Sequence, residues 1–94
     1  MFKTLEELIS VIRQRKRSST ENSYTNKLLN NKKLSVEKVK EEIAELIDAI
    51  EKDTNKVHEA ADVLYHLMVL LEANGIKIED VMGELKKRQN DKLA

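Results

Sequence analysis

The stretch VKEEIAELIDAIEKDTNKVHEAADVLYHLMVLL, from Val39 to Leu71, decides how this chain folds. Apolar residues recur at three- and four-residue steps up to Ile50 and again from Val57, and neither glycine nor proline interrupts them. That period predicts two amphipathic helices joined by a tight turn near Lys52-Asp53-Thr54. Glu42 and Glu45 precede the turn, and Glu59 and Asp62 follow it. Each pair is spaced i, i+3, so on a helix its two carboxylates share a face one turn apart. Glu42 and Asp62 are also equidistant from Lys52, as are Glu45 and Glu59. An antiparallel hairpin turning there sets Glu42 level with Asp62, and Glu45 level with Glu59. Four carboxylates in a small volume repel unless a cation holds them or some are protonated. Hard divalent cations are bound through oxygen, and carboxylates are their usual protein ligands.

Working outward, a first helix is expected from Thr4, with Thr4 and Glu7 as a capping box. Leu5, Leu8, Ile9 and Ile12 form its apolar stripe, which runs out in Arg13-Gln14-Arg15-Lys16-Arg17 and a polar loop, Ser18 to Asn22. A short helix over Tyr24–Leu29 leads to a second loop at Asn30-Asn31-Lys32-Lys33. Ser35 is the expected N-cap of the next helix, with Glu37 in its first turn. Val36, Val39, Ile43, Leu46, Ile47 and Ile50 are its expected core face, with Glu42 at the edge and Glu45 beyond. The following helix spans about Asn55 to Asn74 and stops at Gly75 in the left-handed conformation, with Ile76 as apolar follower. Its first apolar face is Val57, Ala60, Ala61, Leu64, Leu67, Met68 and Leu71. The opposite side carries Glu59, Asp62 and His66, then Val63, Val69 and Leu70. A helix apolar nearly all round must be covered nearly all round, which predicts a homodimer built on it. A last helix, about Glu79 to Asn90, carries Val81, Met82 and Leu85, with Gly83 costing about 1 kcal/mol against alanine. The fold class is therefore all-α: four main helices plus a short one, in a single domain over residues 1–94.

Composition narrows the function. The 94 residues contain no cysteine, which removes disulfides and thiolate metal sites and points to the cytoplasm. Seventeen basic and seventeen acidic side chains cancel, so no overall field attracts nucleic acid or a membrane surface. Aromatic residues make up only 3%, too few for a base-stacking surface that would bind RNA or single-stranded DNA. No long apolar run marks a signal peptide or a spanning helix.

Acids at i, i+3 are common on solvated helix faces, and the hand of the hairpin, which periodicity does not set, decides whether the two faces meet. Two features favour a metal. Glu59 and Asp62 lie on the helix whose remainder is almost wholly apolar, where ionised groups need a partner or a metal. Glu37, Glu41 and Glu45 also place like charges at i, i+4, each pair unfavourable by roughly 0.2–0.5 kcal/mol. Mg²⁺, with Mn²⁺ as the alternative, suits an all-oxygen donor set. Such an ion is commonly shared between carboxylates and substrate phosphates, where it can neutralise phosphoryl charge and orient a water. There is no Gly-rich phosphate loop and no cysteine or serine–histidine nucleophile. Metal-assisted hydrolysis of a phosphoanhydride is the reaction class these residues can run.

Other side chains carry two readings each. Lys38 can contact a substrate phosphate or pair with Glu42 one turn on. Arg15 and Lys16, in the basic run, can meet phosphates or simply complement the helix dipole. Tyr24 and Thr25 can line the substrate's sugar or base, or fix the local chain. His66, one turn after Asp62, reads first as a satisfied buried group and second as a hydrogen-bond partner of the Asp62 carboxylate. His58 faces solvent, and Tyr65 packs with its hydroxyl bonded.

The segments Ser23-Tyr24-Thr25, Lys38-Val39-Lys40-Glu41-Glu42-Ile43-Ala44-Glu45, and Glu59-Ala60-Ala61-Asp62-Val63-Leu64-Tyr65-His66-Leu67-Met68-Val69-Leu70-Leu71 resemble the phosphoribosyl-ATP pyrophosphohydrolases of histidine biosynthesis. These belong to the MazG-like all-α nucleoside-triphosphate pyrophosphohydrolases. Arg15-Lys16 and the stretch from Gly75-Ile76 to Arg88 fit as well. The acidic motifs are shared across the superfamily, whereas Ser-Tyr-Thr and Leu-Tyr-His-Leu point to this member. Lys40 and Asn30-Asn31 stand where the family often has glycine, departures peripheral to the acids. The resemblance implies a homodimer that uses Mg²⁺ to hydrolyse phosphoribosyl-ATP to phosphoribosyl-AMP and pyrophosphate. It gives Glu42, Glu45, Glu59 and Asp62 the metal-ligand role. Glu41 becomes either a water-orienting carboxylate or an exposed helix residue. The alternatives are a MazG-like enzyme acting on other nucleoside triphosphates and a non-catalytic dimerising helical module.

Overall fold

The computed structural model describes residues 1–17 and 23–90. These form five helices: α1 (Lys3–Arg17), α2 (Tyr24–Leu29), α3 (Lys32–Lys52), α4 (Lys56–Ala73) and α5 (Ile78–Arg88). The all-α expectation stands. The loop expected over 18–22 lies outside the described residues.

Helix boundaries follow local chemistry, not always the chemistry expected. The cap of α3 is Asn31, whose side chain accepts the Leu34 N–H at 3.1 Å. Ser35 is therefore not a cap: it sits within α3, 1% exposed, with its hydroxyl unpaired. An asparagine four residues upstream offered the same side-chain acceptor and took the role. Thr4 likewise lies inside α1, which starts at Lys3, and no capping box forms there.

The turn between α3 and α4 falls where the sequence places it. Asp53 and Asn55 adopt φ of 56° and 45°, a left-handed conformation that Asp and Asn tolerate better than other non-glycine residues. Thr54 N–H reaches back to Ala49 O at 3.0 Å and Asp53 N–H to Ile50 O at 3.3 Å, satisfying carbonyls at the end of α3. α4 stops in the same way. Gly75 at φ 69° lets Ile76 N–H bond Leu71 O at 2.9 Å, with Gly75 N–H on Glu72 O.

α3 and α4 pack along most of their length. The inward line of α3 is Ser35, Val39, Glu42, Leu46 and Ala49; that of α4 is Glu59, Asp62, His66, Val69 and Ala73. Both lines step alternately by three and four residues, the period of a helix pair that keeps one seam together. The expected core face of α3 is thus rotated. Val36, Ile43, Ile47 and Ile50 are exposed, while Glu42 is buried. On α4 the side bearing His66 and Val69 enters the core, and Val57 and Leu64 of the other side face outward.

The apolar core gathers Ile12 of α1, Leu28 and Leu29 of α2, and Met68, Val69 and Ala73 of α4. Leu5, Leu8 and Ile9 pack against it, as the stripe of α1 predicts. α5 buries no residue fully; Ile78 packs against the core from one side, and an ion pair adds a second tie. The Arg13 guanidinium holds both carboxylate oxygens of Glu79 in a fork, one at 2.9 Å, and reaches Glu72 of α4 at 3.6 Å. The Arg13 hydrogen bonds are the main reason the Glu79 carboxyl is lowered from 4.5 to about 2. Because the folded value is the lower one, this attachment is fully present above about pH 4.5 and is lost as pH falls toward 2. Amide protection in α5, relative to the intrinsic exchange rate at each pH, should therefore fall across that interval, and Glu79→Gln should show the lower protection already at neutral pH. Equal α5 protection in the variant and the wild type would contradict this.

Candidate metal centre

The rotation of the α3–α4 seam brings the acids together. Glu42, Glu45 and Glu59 each offer a carboxylate oxygen within 4.8 Å of the others. Glu59 belongs to a second group on the same terms, with Asp62 and His58. Glu42 and Glu59 each bury one oxygen, Oε2, with no hydrogen-bond partner. A buried carboxylate oxygen without a partner is costly, and two from facing helices beside a third carboxylate are more so. Burial is the leading cause that raises the Glu42 carboxyl, followed by its contact with Glu45 and the Glu45 charge; His66 acts the other way. All donors from the four acids are oxygen and the electrostatics ask for positive charge. The residues fit a hard divalent cation.

Beside the acids opens a cleft of about 450 Å³, lined by Glu41, Glu45, Asp48, Thr54, Asn55 and Glu59. Asp48 went unnoticed in the sequence, although it extends the i, i+3 series Glu42, Glu45 by one more step. Thr54 and Asn55 carried no signal beyond being turn residues. Glu41 is exposed at this cleft, and Lys38 pairs with it at 3.4 Å rather than with Glu42. At i, i+3 the long lysine reaches the exposed carboxylate and leaves the buried one. His58 is exposed as expected, yet its Nε2 lies 3.4 Å from Asp62 Oδ2. The spacing of one helical turn puts it there.

Tyr24, Thr25, Tyr65 and His66 form one group next to the acids. Tyr24 Oη lies 3.1 Å from His66 Nε2, and His66 Nδ1 lies 2.8 Å from the Asp62 backbone carbonyl. A carbonyl only accepts, so Nδ1 carries a proton and donates; in the neutral ring Nε2 then accepts from the Tyr24 hydroxyl. His66 is therefore the satisfied buried group of the first reading, and its partner on Asp62 is the backbone, not the carboxylate. Thr25 Oγ1 and the Tyr65 hydroxyl share a short hydrogen bond, as Tyr65 was expected to have.

The basic run ends elsewhere. Lys16 Nζ donates to Glu72 O at 2.7 Å, about 20 Å further along α4 than Glu59 at about 1.5 Å per residue. Within one chain Lys16 is thus not brought to the acids. Arg15 is exposed, and its carbonyl accepts from Asn26 Nδ2 at 3.0 Å. Among the described residues, no helix is long and apolar enough to cross a membrane.

Comparison with known proteins gives a consistent picture. The family model described as phosphoribosyl-ATP pyrophosphohydrolase matches residues 5–89. A phosphoribosyl-ATP pyrophosphatase of Methylobacterium nodulans is 46% identical over 92 residues, covering 90% of this chain and 82% of the relative. The protein of the same name from Clostridium novyi is 44% identical over 89 residues, covering 90% and 80%. The histidine biosynthesis bifunctional protein HisIE of Pyrococcus furiosus is 42% identical over 86 residues, covering 90% of this chain but 41% of the relative. With a match from residue 5 to residue 89 that includes all four acids and the Tyr24–His66 group, this chain belongs to the phosphoribosyl-ATP pyrophosphohydrolase family.

Proposed function

We propose that this chain hydrolyses phosphoribosyl-ATP to phosphoribosyl-AMP and pyrophosphate in histidine biosynthesis. The observation that carries the reading is the pair of buried, unpartnered carboxylate oxygens on Glu42 and Glu59, which face each other from two helices. Glu42, Glu45, Glu59 and Asp62 would hold the divalent cation, with Mg²⁺ preferred and Mn²⁺ able to replace it. When bound, such an ion neutralises charge on the phosphoryl oxygens of the substrate. The attacking water forms its bond to the α-phosphorus, the bond from that phosphorus to the bridging oxygen breaks, pyrophosphate leaves with that oxygen and the electron pair, and the water gives up its proton to solvent. The exposure of Glu41 at the cleft, beside Lys38, supports a role for the carboxylate in orienting that water. Lys38 then exchanges Glu41 for a phosphate oxygen. Tyr24 and Thr25 line the nucleoside side, while Arg15 is a phosphate contact reserved for the distal end of the substrate.

The working unit we propose is a homodimer. Ile43, Ile47 and Ile50 of α3 and Val57 and Leu64 of α4 are all exposed. A groove of about 900 Å³ between α1, α4 and α5, lined by Leu5, Ile9, Leu64, Met68 and Met82, is apolar as well. Helix faces of this kind match a second copy of themselves. The 10.9 kDa chain should then sediment at about twice that mass, and release pyrophosphate from phosphoribosyl-ATP. EDTA should stop the reaction, and Mg²⁺ or Mn²⁺ should restore it. Turnover of a panel of deoxynucleoside triphosphates in preference to phosphoribosyl-ATP would move the site to another MazG-like activity. Turnover indifferent to EDTA would remove the metal from it.

A further inference from the structure

The group Tyr24, Tyr65 and His66 is held more firmly than packing alone requires. His66 is 7% exposed, and both of its ring nitrogens are engaged, one by Asp62 O and one by Tyr24 Oη. The Tyr24 and Tyr65 rings stack with centroids 6.4 Å apart and planes at 18°, and the His66 ring stands edge-on to both, at 77° and 87°. The Tyr65 hydroxyl is tied in turn to Thr25. Two hydrogen bonds therefore join the first residues of α2 to one turn of α4.

That turn follows Asp62 directly. Tyr24 is also close enough to Lys38 and Glu42 to feel both charges, and burial is the main cause raising its hydroxyl, which stays protonated as a donor. Yet Tyr24 is 47% exposed, so part of its ring remains free beside the acids. A rigid aromatic face next to a phosphate-binding centre suits a flat ring of the nucleotide. α2 has only six residues and cannot hold that face by its own helical stability.

We infer that His66 is a positioning residue: by accepting the Tyr24 hydroxyl while anchored on the Asp62 carbonyl, it fixes the Tyr24 ring as a wall of the nucleotide site. It thereby sets substrate affinity without touching substrate. This rests on the hydrolase reading above.

The test compares Tyr24→Phe, His66→Phe, the double variant and His66→Gln in steady-state hydrolysis of phosphoribosyl-ATP, with Mn²⁺ affinity measured separately by titration. Each single Phe variant should raise KM about three- to ten-fold, the range a single lost hydrogen bond gives, with kcat within about two-fold. The double variant should be no worse than His66→Phe alone, because both remove the same bond. His66→Gln, which keeps an acceptor, should recover part of the affinity. Mn²⁺ affinity should stay unchanged throughout. An unchanged KM in Tyr24→Phe overturns the inference, as does an additive double variant. So does a loss confined to kcat and Mn²⁺ affinity, which would make His66 a support of the metal ligands. Wild-type protein that releases no pyrophosphate would instead overturn the hydrolase reading. The tether is then read from AMP binding by calorimetry, where equal dissociation constants for wild type and Tyr24→Phe overturn it.

Discussion

Glu59→Gln should lower turnover of phosphoribosyl-ATP by roughly 10²–10³-fold or more, the loss found when a charge-stabilising group is taken from a reacting phosphoryl or acyl centre. The substitution is nearly isosteric, so helicity should not change. Glu59 is the acid shared by both clusters, and one of its oxygens is buried without a partner. Removing its charge relieves repulsion from Glu42 and Glu45, so the variant should be at least as stable as wild type when no metal is added. The two proteins should part when metal is present. A ligand at about 100 times its dissociation constant stabilises the folded state by about 2.7 kcal/mol. Thermal denaturation of wild type should show a Mg²⁺-dependent rise on that scale, and Glu59→Gln should show little or none. A variant that keeps both its activity and its Mg²⁺-dependent shift would refute the ligand assignment.

Leu28→Ala should cost about 2–5 kcal/mol of stability, the range for emptying a buried leucine site. Leu28 is fully buried, in the cluster that joins α1, α2 and α4. α2 has only six residues, too few to persist alone, so its place depends on Leu28 and Leu29. Their loss would free the segment carrying Tyr24 and Thr25 as well. Denaturant unfolding should therefore show a lower midpoint, and KM for the nucleotide should rise under conditions where the variant is still folded. A midpoint within about 0.5 kcal/mol of wild type would mean that α2 is held by something other than its leucines.

How much of this was legible beforehand differs from element to element. The turn at Asp53 and the stop at Gly75 were readable, because left-handed backbone and the apolar follower Ile76 leave a local signature. α2 was readable at about its observed bounds. The N-cap of α3 was not, because Asn31 and Ser35 both offer a capping oxygen and the choice between them depends on whether the intervening turn packs. Arg13 illustrates a different gap. It read as one more member of a basic helix end, and its partners Glu72 and Glu79 lie far along the chain, where no periodicity can point to them.

The acids themselves were found by spacing alone: i, i+3 pairs equidistant from a turn need no coordinates. Sequence by itself determined the all-helical class, the hairpin and its turn, and it singled out the four carboxylates, of which the structure groups Glu42, Glu45 and Glu59 in one cluster and Glu59 and Asp62 in another. Tertiary structure decided which face of the hairpin is its seam. Hydropathy assigns the inside of a helix to its most apolar stripe, which on α3 is Val36, Val39, Ile43, Leu46, Ile47 and Ile50, and of these only Val39 and Leu46 turn inward. The folded chain instead buries Glu42 and His66 along with Val39, Ala49 and Val69, half-buries Glu59 and Asp62, and leaves the isoleucines outside. A transfer energy summed along one helix cannot anticipate this. The buried oxygens of Glu42 and Glu59 find no hydrogen-bond partner within the chain, so their burial answers to the cation we propose there, as the exposed isoleucines answer to the second copy we propose.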